Sequence, residues 1–186
     1  MTAKSGSRNG TKPFLIGIHT NEGPNPAGDE GRDQAAENLS RWMDGQDVSY
    51  HKIVDDDSAK HYVPDERYSW AMRSGNRRSL NLCFIGRASF SRDEWLRHDA
   101  MLRLGAAAVR GWCDRWGIPR TKLTAAQVGA DHAGICGHVD WTNGKHDGTH
   151  TDPGAGFPWD VFLAYVNGGT PNDQFVARRR RALLLA

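Results

Sequence analysis

Residues 13–19 contain Phe14-Leu15-Ile16-Gly17-Ile18-His19, an almost unbroken apolar run of strand length. It reads as a buried strand, and the Gly-, Pro- and Asn-rich stretch 20–31 behind it as a loop. A buried strand commits the chain to a sheet with layers packed on it, and the following segments supply those layers. Ala35, Leu39, Trp42 and Met43 fall on one face at helical spacing, which predicts a helix over 32–44. Residues 48–54 read as a strand, Asp55-Asp56-Asp57-Ser58 as a turn, 59–63 as the returning strand, and 80–85 as a third short apolar strand closed by Gly86. The longest predicted helix spans 92–116. It starts at Ser91, with Glu94 completing a capping box, and ends at Gly117 and Pro119. Pro158 opens a last helix over 159–167, with Val161, Phe162 and Tyr165 as core candidates.

Strands and helices are mixed without strict alternation. The expected class is α/β, a central mixed β-sheet flanked by helices. At 186 residues the chain suits a single domain. It is expected over 13–168, between a flexible N-terminus (1–12) and a tail (169–186). The stretch 123–156 reads as irregular and rich in Gly, His, Asp and Thr, and a loop of that length in a compact domain is usually functional.

Net charge is +2, and Arg178 to Arg181 alone outweigh it, so nucleic acid is not an expected partner. No stretch has the length of a membrane span. The polar first dozen residues lack the apolar core of a secretory signal. Cys83, Cys113 and Cys136 are too few and too odd for a disulfide framework and are expected to be reduced.

The chemistry is concentrated in three places. His19 ends the first apolar run. His138 lies in Gly137-His138-Val139-Asp140-Trp141. Asp152 lies in His150-Thr151-Asp152-Pro153-Gly154-Ala155-Gly156-Phe157-Pro158-Trp159. Two imidazoles and one carboxylate leave a coordination position open, the donor set of a catalytic zinc rather than a structural one. Cys136, two residues before His138, is the rival ligand. Taken singly, a histidine on an apolar strand is more often a satisfied polar group, and Asp-Pro-Gly is a common turn. Order and spacing together carry the signal.

These segments resemble the zinc-dependent N-acetylmuramoyl-L-alanine amidases, the family of phage amidase lysins and peptidoglycan recognition proteins. The resemblance covers about residues 14–165. It implies one zinc held by His19, His138 and Asp152. It aligns Val48-Ser49-Tyr50-His51-Lys52-Ile53-Val54 with the family strand that carries a catalytic tyrosine, making Tyr50 the group that orients the attacking water. His150 stands where many relatives carry lysine and is the candidate donor to the developing oxyanion. Some relatives place a glutamate on the strand that here reads Ser79-Leu80-Asn81-Leu82-Cys83-Phe84. The corresponding residue is Cys83, a departure that favours a tyrosine-dependent variant. Glu22, close behind His19, is a weaker candidate at the metal. His51, next to Tyr50 on a strand, is expected to face the other way and make a structural hydrogen bond. Trp70, Trp141 and His132 are the candidate substrate contacts, whereas Trp159, at a helix start, reads as core.

The resemblance implies hydrolysis of the amide between N-acetylmuramic acid and the L-alanine of the stem peptide. It further implies a phage endolysin catalytic domain, monomeric and held in the host cytoplasm before it acts on the bacterial wall. Two other readings stay open: a muropeptide-binding module without catalysis, and a zinc peptidase cutting within the stem.

Overall fold

A computed structural model describes residues 3–25 and 34–170. In chain order the elements are β1 (Ser5–Ser7), β2 (Leu15–Thr20), α1 (Ala35–Met43), β3 (Lys52–Val54), β4 (Ala59–His61), β5 (Arg67–Ser69), a 3-10 segment (Arg73–Arg78), β6 (Ser79–Phe84), α2 (Arg92–Arg97), α3 (Asp99–Trp116), α4 (Ala125–Gly129), β7 (Gly134–Gly137), α5 (His138–Lys145) and α6 (Trp159–Val166). Five strands form one sheet in the order β4-β3-β6-β2-β7. β2 runs parallel to β6 and β7, β3 runs parallel to β6, and β4 returns antiparallel to β3. This is the expected mixed sheet with helices packed on it. No helix among the described residues is long and apolar enough to cross a membrane.

The sequence of β6 shows how the sheet divides its two faces. Side chains alternate along a strand, so Ser-Leu-Asn-Leu-Cys-Phe sends three apolar groups one way and three smaller, more polar ones the other. Leu80, Leu82 and Phe84 join Ile16 and Ile18 of β2 in the main core, against Leu102, Ala106 and Val109 of α3 and Phe162 and Val166 of α6. On the opposite face the register pairs Gly17 with Asn81 and His19 with Cys83. Ten core side chains of average size, each stabilising by about 2 kcal/mol on burial, would hold the first face together. The second face is left free for chemistry. A smaller apolar cluster of Leu15, Met72, Leu123, Val128, Cys136 and Trp141 supports it from below.

Phe84 comes so close to α3 that a Cβ at Gly105 would overlap its ring. The ring is fixed by Trp95, Phe157 and Phe162, each within 6 Å centroid to centroid, and cannot step aside. Gly105→Ala is therefore expected to destabilise the protein by about 1–2 kcal/mol, because overpacking exceeds the gain in helix propensity. A fall in the urea midpoint would register it; an unchanged or higher midpoint would show that the core has slack.

Several expectations change. The N-terminal segment, expected to be flexible over 1–12, is tied down across its described part. β1 pairs antiparallel with β5, and the buried Arg8 donates to the carbonyls of Asp65, Arg77 and Ser79. The helix expected over 92–116 is two helices. The Ser91–Glu94 capping box forms, but the chain breaks at His98, whose Nδ1 lies 2.8 Å from Oδ2 of Asp56 with both side chains buried. The irregular stretch 123–156 contains α4, α5 and β7, a strand of the main sheet. It is short and glycine-flanked, which hid it. α1 buries Ala36, Ser40 and Met43 and leaves Trp42 59% exposed, so its inner face is rotated from the one expected. The 26–31 part of the loop and the Arg178 to Arg181 run fall outside the described residues.

Candidate metal centre

His19, His138 and Asp152 come together from three separate elements. Each offers one donor atom, and these atoms lie within 4.8 Å of one another. His19 sits near the carboxyl end of the interior strand β2, on the polar face. Its Nε2 lies 2.9 Å from Oδ1 of Asn81. The amide oxygen can only accept, so the ring proton is on Nε2 and the Nδ1 lone pair faces inward, 3.2 Å from Asp152 Oδ2. Asn81 is itself fixed, its Nδ2 donating to Ser69 Oγ and Ser79 Oγ. The absence of a side chain at Gly17 makes room, since a Cβ there would overlap Met72 and crowd Asn81 Oδ1.

His138 is the first residue of α5, directly after β7. Asp140 caps that helix by accepting from the Gly137 N–H at 2.7 Å, and Lys122 Nζ donates to the same oxygen. Asp152 is held against this helix start by its own backbone: Val139 N–H donates to the Asp152 carbonyl at 2.9 Å. The Asp152–Pro153 peptide is cis, and the following Gly154 has φ of 89°. A side chain at Gly154 would collide with the Ala88 carbonyl, so this turn requires glycine on both counts.

The electrostatics suit a cation. Burial opposes charge on Asp152, but the imidazoles of His138 and His19 beside it outweigh that and hold the carboxyl well below its usual range. Burial is also the main cause that lowers His138, to about 4, so its imidazole is neutral near pH 7. Neutral imidazoles and an ionised carboxylate are the protonation states that metal binding requires. The buried Nε2 of His138 has no hydrogen-bond partner. His138 Nδ1 lies 3.5 Å from Asp152 Oδ1, so both imidazoles turn the same ring nitrogen toward the carboxylate, as ligands of one cation would. The donor set fits zinc.

His138 and Asp152 border a cavity of about 490 Å³, which Tyr50, His150 and Trp70 also line; His19 is buried next to them and is not among the lining residues. Tyr50 is half-buried just before β3, its ring centroid 5.2 Å from that of His19. Burial, then the neighbouring Cys83 and Asp152, push its phenol well above 10, so it stays protonated. Cys83 shares a hydrogen bond with Tyr50, and burial drives its thiol up as well. His150 stacks on His138 at 3.8 Å, nearly parallel, and its Nδ1 lies 3.6 Å from Asp152 Oδ1 with half of its side chain exposed. Trp70 is 38% exposed, with Lys4 Nζ 4.9 Å from its ring.

Two expected substrate contacts are placed elsewhere. Trp141 is 2% exposed in the smaller apolar cluster, with Nε1 donating to Asp147, so neither ring face is open to a sugar. His132 is exposed, follows α4, and does not line the cavity. Cys136 is fully buried in that same cluster and is not among the converging donors. Glu22 lines the cavity but is engaged by Thr20 Oγ1 and the Ala88 N–H. His51 faces away from Tyr50 into the sheet, where Nδ1 accepts from the Asn81 N–H at 3.0 Å. Trp159 packs on Phe157, with Lys122 over its ring. Sequence reasoning missed two residues. Asn81 was legible in the alternation of β6, which puts it on the same face as Cys83. Trp42 shares a helical face with Ala35, Leu39 and Met43 by its spacing, yet it is exposed and lines the cavity.

Residues 9–155 match the family model for N-acetylmuramoyl-L-alanine amidase. None of the curated proteins matches the chain in sequence. Among solved structures, the chain is similar to the hydrolase AmiA of Staphylococcus aureus in complex with its ligand, at 17% identity and TM-score 0.62 over 91% of this chain and 82% of that one. It is similar to an AmpD derivative at 20% identity and TM-score 0.60, over 89% and 92% of the two chains. It is also similar to a mutant endolysin from Bacillus subtilis, at 17% identity and TM-score 0.57, over 89% and 95%. At these identities the structural likeness concerns the fold.

Proposed function

Since the chain belongs to the N-acetylmuramoyl-L-alanine amidase family, we propose that it hydrolyses the amide between N-acetylmuramic acid and the L-alanine of peptidoglycan with one zinc ion held by His19, His138 and Asp152. One observation carries the reading: these three donors, distant in sequence, converge within 4.8 Å, and two of them, His138 and Asp152, line a cavity with Tyr50 and His150. When bound, zinc supplies Lewis acidity that makes water nucleophilic near neutral pH and polarises an amide carbonyl.

The chain's own residues do the rest. Asn81 holds His19 in the tautomer that leaves Nδ1 free. Tyr50, protonated throughout the neutral range, has a phenol O–H to orient the attacking water. It is not a base in that state, and neither is the buried thiol of Cys83, so the strand that carries Cys83 supplies no base where a glutamate would stand. His150, half-exposed and braced on His138, is placed to donate a hydrogen bond to the carbonyl oxygen as negative charge builds on it.

We further read the chain as the catalytic domain of a phage endolysin, working as a monomer on the wall after release from the host cytoplasm. Folds named as endolysins among the similar structures support this. The catalytic unit is proposed to begin earlier than residue 13, because β1 and Arg8 pack on it.

Purified protein incubated with cell walls tests the reading. The expected result is release of stem peptides that begin with a free L-alanine amino group, stopped by a chelator and restored by zinc. Shortened stems left on the glycan would show a peptidase instead, and wall binding without new amino groups would show a binding module.

A further inference from the structure

The amide that such an enzyme cuts joins two unlike arms. One is a glycan, whose sugar rings present flat C–H faces edged by hydroxyl and acetamido groups. The other is a peptide carrying free carboxylates. The cavity is correspondingly unlike at its two ends. Resting on the amidase reading, we propose that Trp42 is the sugar platform of the cleft, so that the glycan lies along α1 and the stem peptide leaves past Trp70 toward Arg73 and Arg77.

Two large hydrophobic side chains are exposed among the described residues, Trp42 at 59% and Trp70 at 38%, and both line this cavity. They are not equivalent. Lys4 covers a face of Trp70 at 4.9 Å and is tied to Asp47. Among the described residues no ring or cation is stacked on Trp42, which leaves an open indole face beside the apolar Leu39 and Met43 of the same helix. Indoles in clefts with such surroundings suit partners with one flat apolar face and polar edges.

At the other end, Trp70, Arg73 and Asn76 also line a second, smaller depression of about 200 Å³, which Arg77 borders and no α1 residue reaches. Arg73 Nε is engaged by Asp147 at 2.7 Å. Arg77 lies 5.9 Å over the Tyr68 ring, and among the described residues no carboxylate forms an ion pair with it. An arginine without an acidic partner beside a groove is a receptor for a carboxylate, which it can grip through two parallel N–H donors. The charge at this end matches the peptide arm and has nothing to offer a neutral sugar.

The test uses two probes, each one arm of the substrate: a peptide-free oligosaccharide of alternating N-acetylglucosamine and N-acetylmuramic acid whose lactyl carboxyls are capped as simple amides, so that it is neutral, and a free stem peptide beginning with L-alanine. Dissociation constants for wild type, Trp42→Ala and Arg77→Ala are measured by calorimetry. Both side chains are exposed, so both variants are expected to fold, and matching thermal unfolding checks this. Trp42→Ala is expected to weaken the oligosaccharide by about fivefold or more and to leave the peptide within about twofold. Arg77→Ala is expected to do the reverse. The orientation is overturned if Trp42→Ala binds the oligosaccharide as wild type does, if both variants weaken the same probe, or if neither probe binds wild type saturably. Amino-group release from cell walls is followed in parallel. No release, with the oligosaccharide binding still dependent on Trp42, would sink the amidase reading and leave the platform standing; normal release with Trp42-independent binding sinks the platform alone.

Discussion

Asp152→Ala is expected to fold normally, to lose bound zinc, and to lose amide hydrolysis by about a thousandfold or more. Folding survives because the structural contacts of this residue are made by its backbone. The carbonyl that accepts from Val139 N–H remains, and the turn stays fixed where Gly154 meets Ala88. The side chain contributes a buried negative charge between two imidazoles, with oxygens 3.2 Å from His19 Nδ1 and 3.5 Å from His138 Nδ1. Without it, two neutral nitrogens remain to hold a dication in a buried site, and no protein charge offsets the cost of removing that cation from water. Asp152→Asn separates shape from charge: it keeps the volume, and if the charge is what matters it should lose zinc nearly as completely. Elemental analysis of wild type and both variants, purified alike, gives the answer. Equal zinc in wild type and Asp152→Ala would mean that the three donors are not the ligand set, whatever happens to activity.

Much of this centre was legible before any coordinates, and the reason is chemical. His19 terminates an apolar run, so a polar side chain was already placed at the end of a buried strand. His138 follows Gly137 and Asp152 lies two residues before Gly154, and backbones approach closely at glycines. What the sequence could not show was the support around them. Arg8 gives no local signal that its guanidinium will reach the carbonyls of Asp65, Arg77 and Ser79, some sixty to seventy positions on. β7 has four residues, two of them glycine, and contributes almost no periodicity. The helix break at His98 is set by Asp56, forty-two positions earlier. Trp141 and Trp42 were exchanged for a related reason. Both are indoles in amphipathic surroundings, and which one is covered depends on Met72, Val128 and Leu15 packing over Trp141, a tertiary fact. Local pattern fixed element type and the residues that carry chemistry, while long-range contacts decided exposure and element boundaries.

The protein is expected to lose stability on acidification from about pH 6.5 downward, before its carboxylates titrate, and His51 is the largest cause, with His138 adding to it. His51 is fully buried. Its Nδ1 accepts the Asn81 N–H at 3.0 Å, so the ring proton is on Nε2, which donates to the Arg67 carbonyl at 3.0 Å. The Arg8 guanidinium lies 3.0 Å from the same Nε2. A second proton would have to go on Nδ1, breaking the bond to Asn81 and placing two cations side by side without water. Burial first, then the charge of Arg8, accordingly lower His51 to about 3, against the opposing hydrogen bond to Arg67. In the unfolded chain the imidazole has a pKa of about 6.5. Between these values the unfolded state binds the proton and the folded state does not, so the stabilisation is fully present above about 6.5 and is lost as pH falls toward 3, at a limiting slope of about 1.4 kcal/mol per pH unit. Urea unfolding of wild type and His51→Phe across pH 7 to 4 isolates the effect, because every other titrating group is common to both. Wild type should be the more stable at pH 7, where His51→Phe leaves the Asn81 N–H unpaired, and its advantage should shrink steadily with acid. A gap that does not change with pH would mean that His51 takes its proton in the folded state as readily as in the unfolded one. Asn81 connects this acid sensitivity to the metal centre, since its N–H is held by His51 and its Oδ1 by His19.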